Sequence, residues 1–517
     1  MNRWLKLVGS LVLLSLPATA AVSHNVRDYG AKGDGATKDT AALQAAIDAA
    51  AKEGGGVVVV PPGNYLSGTV HLKSNVAIQI PAGATTLGSP DNKDYDPYET
   101  LPFEPVDDTE TTYFHYALLA GENVHHVSIT GAGVIDGNRN KRGGPKPIAL
   151  KNCEHISIRG ITVRNSPNYA ISFLGCDYVD VDGVSVINSY ADGIDPDCSR
   201  FVRIANCYVD AWDDAICPKA SQALGKPRST ENLVVTNCVL RTNCSSFKFG
   251  TESRGDLKNV AVTNCVMLKR DVLRAPISGI TLESVDGSNI DGVTISNITM
   301  QEVSTPIFLR LGNRGRGMNP PTPGSLRNVT ISNIIATGGT MPSSITGIVG
   351  ATVKNVTLDN INITMVGEGE FNSLDVPEVA NKYPEADMFG KLPAYGLYVR
   401  HVEGLTLRNI KTRWQEDDSR PALLFDDVRD LELSEFRSET VVGTQPLIWL
   451  HRVDGALVHG CRVSQDVARF LKVTGEQSRR ISVTGNDLGL VQQPLDLSPE
   501  VARDAVVLIG NVTKGAK

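Results

Sequence analysis

Short runs in which apolar and polar residues alternate recur along most of this chain, each closed by an Asn or a Gly. They read Ile156-Ser157-Ile158-Arg159-Gly160, Val179-Asp180-Val181-Asp182-Gly183, Val202-Arg203-Ile204-Ala205-Asn206, Val234-Val235-Thr236-Asn237 and Val260-Ala261-Val262-Thr263-Asn264. Later copies end at Asn297, Asn333, Asn360 and Asn409, and weaker ones surround Gly131, Gly460 and Gly485. Most anchors lie 23 to 36 residues apart, with one interval of 49 between Asn360 and Asn409. Alternation with period two marks a strand, and the closing Asn or Gly marks a turn. No helix-period segment of useful length separates the copies, which argues against alternating strand–helix folds. A fixed strand core at variable spacing predicts an all-β fold, a single-stranded right-handed parallel β-helix whose insertions loop out at the turns. The Asn column predicts an internal ladder of side-chain amides bonded from coil to coil.

A second strand series lies between the anchors: Ile171-Ser172-Phe173, Ile194-Asp195-Pro196-Asp197, Ile216-Cys217-Pro218-Lys219, Phe247-Lys248-Phe249-Gly250, Ile280-Thr281-Leu282-Glu283 and Phe308-Leu309-Arg310. Its alternate apolar positions point inward. Asp195, Asp197, Lys219, Lys248, Thr281 and Glu283 then point outward, with Arg310 continuing the line, as a polar stripe suited to a linear polymer. Near the start, Asp39 or Thr40 is placed to cap a short helix over about residues 41–52, with Leu43 and Ile47 on one face. Such a helix covers the first coil of a solenoid. Residues 366–394, rich in Gly, Pro and charge, read as a long loop over the groove.

The chain has 517 residues, 41% hydrophobic and 21% charged, enough for a large core. Residues 1 to about 20 have the layout of a secretory leader: Arg3 and Lys6, an apolar run from Leu7 to Leu16, then Ala18-Thr19-Ala20. The run is too short to span a bilayer. The expectation is a secreted or periplasmic monomer with one domain over 21–517 and no membrane contact once the leader is gone. The formal net charge is −7, which does not suit nucleic acid or an anionic membrane. Among the nine cysteines, Cys153, Cys176 and Cys198 each precede a repeat strand at equivalent places, and Cys207, Cys238 and Cys265 each follow an anchor. Regular columns predict small buried side chains, while an oxidising compartment also permits disulfides. No Cys/His spacing suits zinc, and no cofactor is called for.

Two acidic clusters carry the candidate chemistry: Tyr190-Ala191-Asp192-Gly193-Ile194-Asp195 and Trp212-Asp213-Asp214-Ala215-Ile216. Asp192 and Asp213 lie 21 residues apart, about one repeat, so their carboxylates are expected to stack on one face. Crowded carboxylates are electrostatically costly, and acid–base chemistry on a glycosidic bond is one reason to keep them. Isolated Asp residues in turns are common; the clustering at repeat spacing favours chemistry.

Several motifs resemble glycoside hydrolase family 28, the polygalacturonase family, over most of the chain after the leader. They are Val26-Arg27-Asp28-Tyr29-Gly30-Ala31-Lys32-Gly33-Asp34-Gly35, Gly131-Ala132-Gly133-Val134-Ile135-Asp136-Gly137-Asn138, Asn165-Ser166-Pro167-Asn168-Tyr169, and Asp192-Gly193 followed by Asp213-Asp214. The resemblance implies hydrolysis of a pectic or other acidic glycan with inversion. Asp213 would be the general acid, and Asp192 and Asp214 would position and activate water. The sequence departs from the family in three places. Tyr190-Ala191 stands for Asn-Thr, Cys244-Ser245-Ser246 for Gly-His-Gly, and Thr281-Leu282-Glu283 for the Arg-Ile-Lys that grips the sugar carboxylate. Lys248, with Asp195, Lys219 and Arg310, is the candidate replacement for substrate binding. Two other functions stay open. One is a β-eliminating polysaccharide lyase using Ca²⁺ with Asp195, Asp197 and Lys248; the other is a non-catalytic glycan-binding β-helix.

Overall fold

The computed structural model describes residues 23–514 except 272–273, 440–442 and 444. The expected leader lies outside the described residues. From Ser23 onward parallel strands pair coil to coil in a right-handed parallel β-helix. The register follows the alternation. Ile156 aligns with Val179, Val179 with Val202 and Val202 with Leu233; two residues on, Ile158, Val181, Ile204 and Val235 repeat the column. All are buried. A slip of one residue would turn every one of these side chains to solvent, which pins the pairing.

Each central coil has three strands. One face carries the anchors, among them Asp177–Asp182 and Arg200–Ala205. A second, which the sequence pattern left unassigned, carries Thr162–Arg164, Ser185–Ser189, Tyr208–Ala211 and Val239–Thr242. The third is the groove face: Lys146–Lys151, Ile171–Leu174, Ile194–Asp197, Ser245–Lys248, Ser278–Ser284 and Thr305–Leu311.

The Asn ladder is present, at an exposed corner rather than inside. Asn297, Asn333 and Asn360 have φ of 55–56°, a left-handed conformation that Asn tolerates better than most residues. Asn297 Nδ2 donates to Asn264 (3.0 Å), Asn333 to Asn297 (3.0 Å), Asn360 to Asn333 (2.8 Å) and Asn409 to Asn360 (3.0 Å). The corner turns the backbone outward, and that places the amides on the surface.

All nine cysteines are free, and eight are buried. Cys198 does not continue the column of Cys153 and Cys176. Asp177 pairs with Arg200, so Ser199 takes the place opposite Cys176 and bonds its backbone N–H through Oγ at 3.1 Å. The capping helix spans Thr40–Lys52 and buries Leu43 and Ile47. Asp39 precedes it without capping it; its carboxylate accepts instead from the N–H groups of Lys32 (2.7 Å) and Gly33 (2.9 Å).

The long loop lies between the strands Val353–Gly367 and Leu397–Glu416. Its Val376, Ala386, Phe389, Leu392 and Ala394 pack on Phe308, Tyr398, Leu424 and Trp449. It therefore lies over the later coils of the groove face.

Candidate active site

One register argument assembles the site. Ile148, Ile171, Ile194, Ile216, Phe247, Ile280 and Ile307 align along the groove face. Two residues earlier in each coil stand Lys146, Tyr169, Asp192, Asp214, Ser245, Ser278 and Thr305. Asp192 therefore stacks with Asp214, not with Asp213, because this coil is 22 residues long. The Asp214 N–H donates to Asp192 Oδ1 at 3.2 Å, and the Gly193 N–H to Asp214 O at 2.9 Å. Asp213 falls one place outside the column, where its side chain is more exposed than those of Asp192 and Asp214. One oxygen each of Asp192 and Asp214 lie within 4.8 Å of each other, as do one each of Asp213 and Asp214.

Each carboxylate has its own cation. Lys219 Nζ donates to Asp192 Oδ2 (2.8 Å) and Asp195 Oδ2 (2.6 Å) and sits 4.2 Å from the Tyr169 ring centroid. Lys248 Nζ lies 3.1 Å from Asp214 Oδ2. Arg142 Nη1 donates to Asp213 Oδ2 at 2.5 Å. The environments divide the trio. Burial pushes Asp192 well above the usual carboxylate range; Lys219 opposes this, and Asp213, Asp195 and Asp214 add to it. Burial also acts upward on Asp213, but Arg142 and Lys248 outweigh it and hold that carboxyl below its usual value. Asp195, buried and then pulled back by Lys219, is raised to about 6.

The four expected substrate-binding residues already have internal partners. Asp195, Lys219 and Lys248 are buried in the ion pairs above. Arg310 aligns with Glu283, as the stripe requires, but lies under the long loop. It bonds Gly347 O (3.0 Å) and Glu378 O (2.8 Å), with Phe389 over its guanidinium. The stripe thus faces outward from the core yet is covered by loops. Lys248, the free base that the lyase alternative requires, is paired with Asp214.

The departures from the family have local consequences. Ser245, in place of the histidine, gives its N–H to Asp214 Oδ1 (2.9 Å) and shares its hydroxyl with Ser278 (3.0 Å). Glu283 is buried with both carboxyl oxygens lacking a hydrogen-bond partner, and burial, opposed by Lys248, pushes its pKa well above the usual range. Asp192, Asp214 and Cys217, or Asp213, Asp214 and Cys244, bring ligand atoms close enough for an ion. Lys219, Lys248 and Arg142 already occupy those carboxylates, however, so an ion would have to displace a cation to bind.

Several groups escaped the sequence reading. Lys146 heads the catalytic column, with Nζ 3.6 Å from the Phe114 ring centroid and no hydrogen-bond partner. Arg142, from the loop before it, grips Glu110 through Nε at 3.0 Å. Tyr383 of the long loop stands 5.6 Å from Lys248 and 5.5 Å from Arg314. A basic run in a Gly-rich loop, Arg139-Asn140-Lys141-Arg142-Gly143-Gly144, was the available signal for Arg142.

The family model for glycosyl hydrolases family 28 matches residues 56–382, and one described as rhamnogalacturonase A/epimerase, pectate lyase-like, matches residues 23–86. A Vitis vinifera protein described as "Probable polygalacturonase" is 24% identical over 381 residues, covering 68% of this chain and 76% of its own. An exo-poly-alpha-D-galacturonosidase of Dickeya chrysanthemi is 24% identical, with 64% and 65% covered. Among solved structures, a Thermotoga maritima exopolygalacturonase superposes with TM-score 0.60 at 21% identity, covering 76% of this chain and 92% of its own. A Yersinia enterocolitica family 28 exopolygalacturonase gives 0.61 at 21% identity, with 79% and 78% covered.

Proposed function

The chain belongs to glycosyl hydrolases family 28, and from that premise we propose that it cleaves glycosidic bonds of a pectic polysaccharide by hydrolysis with inversion. It is a polygalacturonase-like glycosyl hydrolase; the substrate, the stereochemistry and the residue roles are the proposal. The observation that carries it is the convergence of Asp192, Asp213 and Asp214 from adjacent coils, each on its own cation. Inversion needs one carboxylic acid to protonate the leaving oxygen and one carboxylate to activate water on the opposite face. In this reading Asp213 is the acid, and Asp192 and Asp214 hold the water. A pectic polymer lies outside the cell, and export to periplasm or medium is part of the proposal, supported by the leader pattern.

The pKa directions in the ligand-free chain favour a second reading with the roles exchanged, since groups pushed apart mark acid and base: burial pushes Asp192 up, and Arg142 with Lys248 holds Asp213 down. Reducing-end release from a panel of pectic polymers tests the reaction, and proton NMR of the first-formed anomer tests inversion. Asp192→Asn and Asp213→Asn should each lose at least about a hundredfold in kcat with the fold intact. Full activity in either variant, or a retained anomer, sinks the proposal. The roles separate by pH profile: the variant of the acid loses the basic limb of kcat/KM, and the variant of the base loses the acidic limb.

A further inference from the structure

The family's carboxylate-gripping cations are absent at Thr281 and Glu283, and Lys219, Lys248, Lys146 and Arg310, the groove cations described above, have no free face. Lys219 and Lys248 are 3% exposed and ion-paired. Lys146 is 1% exposed beneath Phe114, and Arg310 is 1% exposed beneath the long loop. Arg142 differs. Its side chain is 46% exposed, and its two acidic partners, Glu110 and Asp213, are 20% and 27% exposed. Glu110 takes the Nε edge of the guanidinium at 3.0 and 3.1 Å and also accepts from Nη2, while Nη1 reaches over to Asp213. Glu110 thus fixes the plane of the fork and leaves Nη1 on the catalytic carboxylate.

We propose that Arg142 is the specificity residue that reads the carboxylate of an acidic sugar in the groove, and that an arriving uronate takes Nη1 from Asp213. A guanidinium is the side chain best matched to a carboxylate, and a uronate offers Nη1 the same acceptor chemistry as Asp213. The exchange has a consequence for the acid. Asp213 is faced by Arg142 from the loop before the Lys146–Lys151 strand, by Lys248 and Cys244 from the next coil, and by Asp192 and Asp214; Glu110 reaches it through Arg142. Once Arg142 turns to the substrate, Asp213 loses its nearest cation and keeps its acidic neighbours, so its affinity for a proton rises. An acidic sugar therefore both docks and arms the general acid, whereas a neutral sugar leaves Asp213 clamped. This inference rests on the reading of Asp213 as the acid.

The test compares Arg142→Gln with the unsubstituted enzyme on a galacturonate oligomer and on its fully methyl-esterified, neutral counterpart. Binding is titrated calorimetrically in an Asp192→Asn background, or read as competitive inhibition in the unsubstituted background if that variant does not fold. Arg142→Gln should weaken binding of the acid by about tenfold or more and leave the ester within about twofold. Binding of the acid should be accompanied by proton uptake, and that uptake should vanish with Arg142. Equal affinity of the two forms for the acid, or equal losses on acid and ester, overturns the proposal. Absence of hydrolysis by the unsubstituted enzyme would instead overturn the reaction assigned above, because the binding comparison stands without turnover.

Discussion

Lys219 reaches back one coil to donate to Asp192 at 2.8 Å, and the same ammonium bonds Asp195 at 2.6 Å. One buried positive charge therefore serves two buried carboxylates. Removing one partner of such a group leaves uncompensated charge, at a cost of about 3–5 kcal/mol. Lys219→Met should lower stability by that order at pH 7 and by clearly less at pH 4, where the freed carboxyls protonate. Thermal unfolding at the two pH values checks this; an equal loss at both would mean that charge is not the cause.

Lys146 is the converse case, a buried ammonium with no acceptor. Burial lowers its pKa from the usual 10.5 to about 8, equivalent to about 3 kcal/mol against the charged form. The folded state releases the proton before the unfolded state does. The penalty is therefore in full force below pH 8 and fades as pH rises from about 8 to 10.5. Lys146→Met should raise the Tm at pH 7, with the gain shrinking across that window. A destabilised variant at pH 7 would show that contact with Phe114 outweighs desolvation.

Asn333 both adopts φ of 55° and links two rungs, donating to Asn297 and accepting from Asn360 at 2.8 Å. Asn333→Ala meets the left-handed penalty and breaks both rungs, a loss of about 2 kcal/mol. Asn333→Gly loses only the rungs and should be the milder change. Chemical denaturation of the pair distinguishes the two contributions, and the reverse ranking would refute the conformational one.

Glu378 ties the long loop to the coils. Its carboxylate meets Arg400 Nη2 at 2.7 Å and His401 Nε2 at 2.8 Å, while its carbonyl accepts from Arg310 at 2.8 Å. Glu378→Ala should speed amide hydrogen exchange across the loop between residues 368 and 396 by about tenfold or more, leaving the Asn264–Asn409 ladder strands unchanged. Exchange unaltered in the loop would place its anchoring in the apolar contacts of Phe389 and Leu392 instead.

The anchors at Asn206 to Asn409, the outward stripe and the helix over Thr40–Lys52 were all legible in the chain. So was the pairing of the two acidic clusters on one face. Alternation and left-handed corners are local rules, and a solenoid repeats local rules. Cys198, by contrast, broke the column that its spacing suggested, because it follows Cys176 by 22 residues, one short of the 23 that place Ser199 opposite. The same single-residue difference put Asp214, and not Asp213, under Asp192.

By itself the sequence determined which residues form strands, where the chain turns and which two acidic clusters meet on one face, because those features follow from a period of two and from residues that accept positive φ. Only the tertiary structure decided which cation meets which carboxylate. Arg142 lies 71 residues from Asp213, and Lys219 lies 27 from Asp192. Such pairs are made by loop paths and coil lengths, and a one-residue change in either moves a charge from one partner to the next.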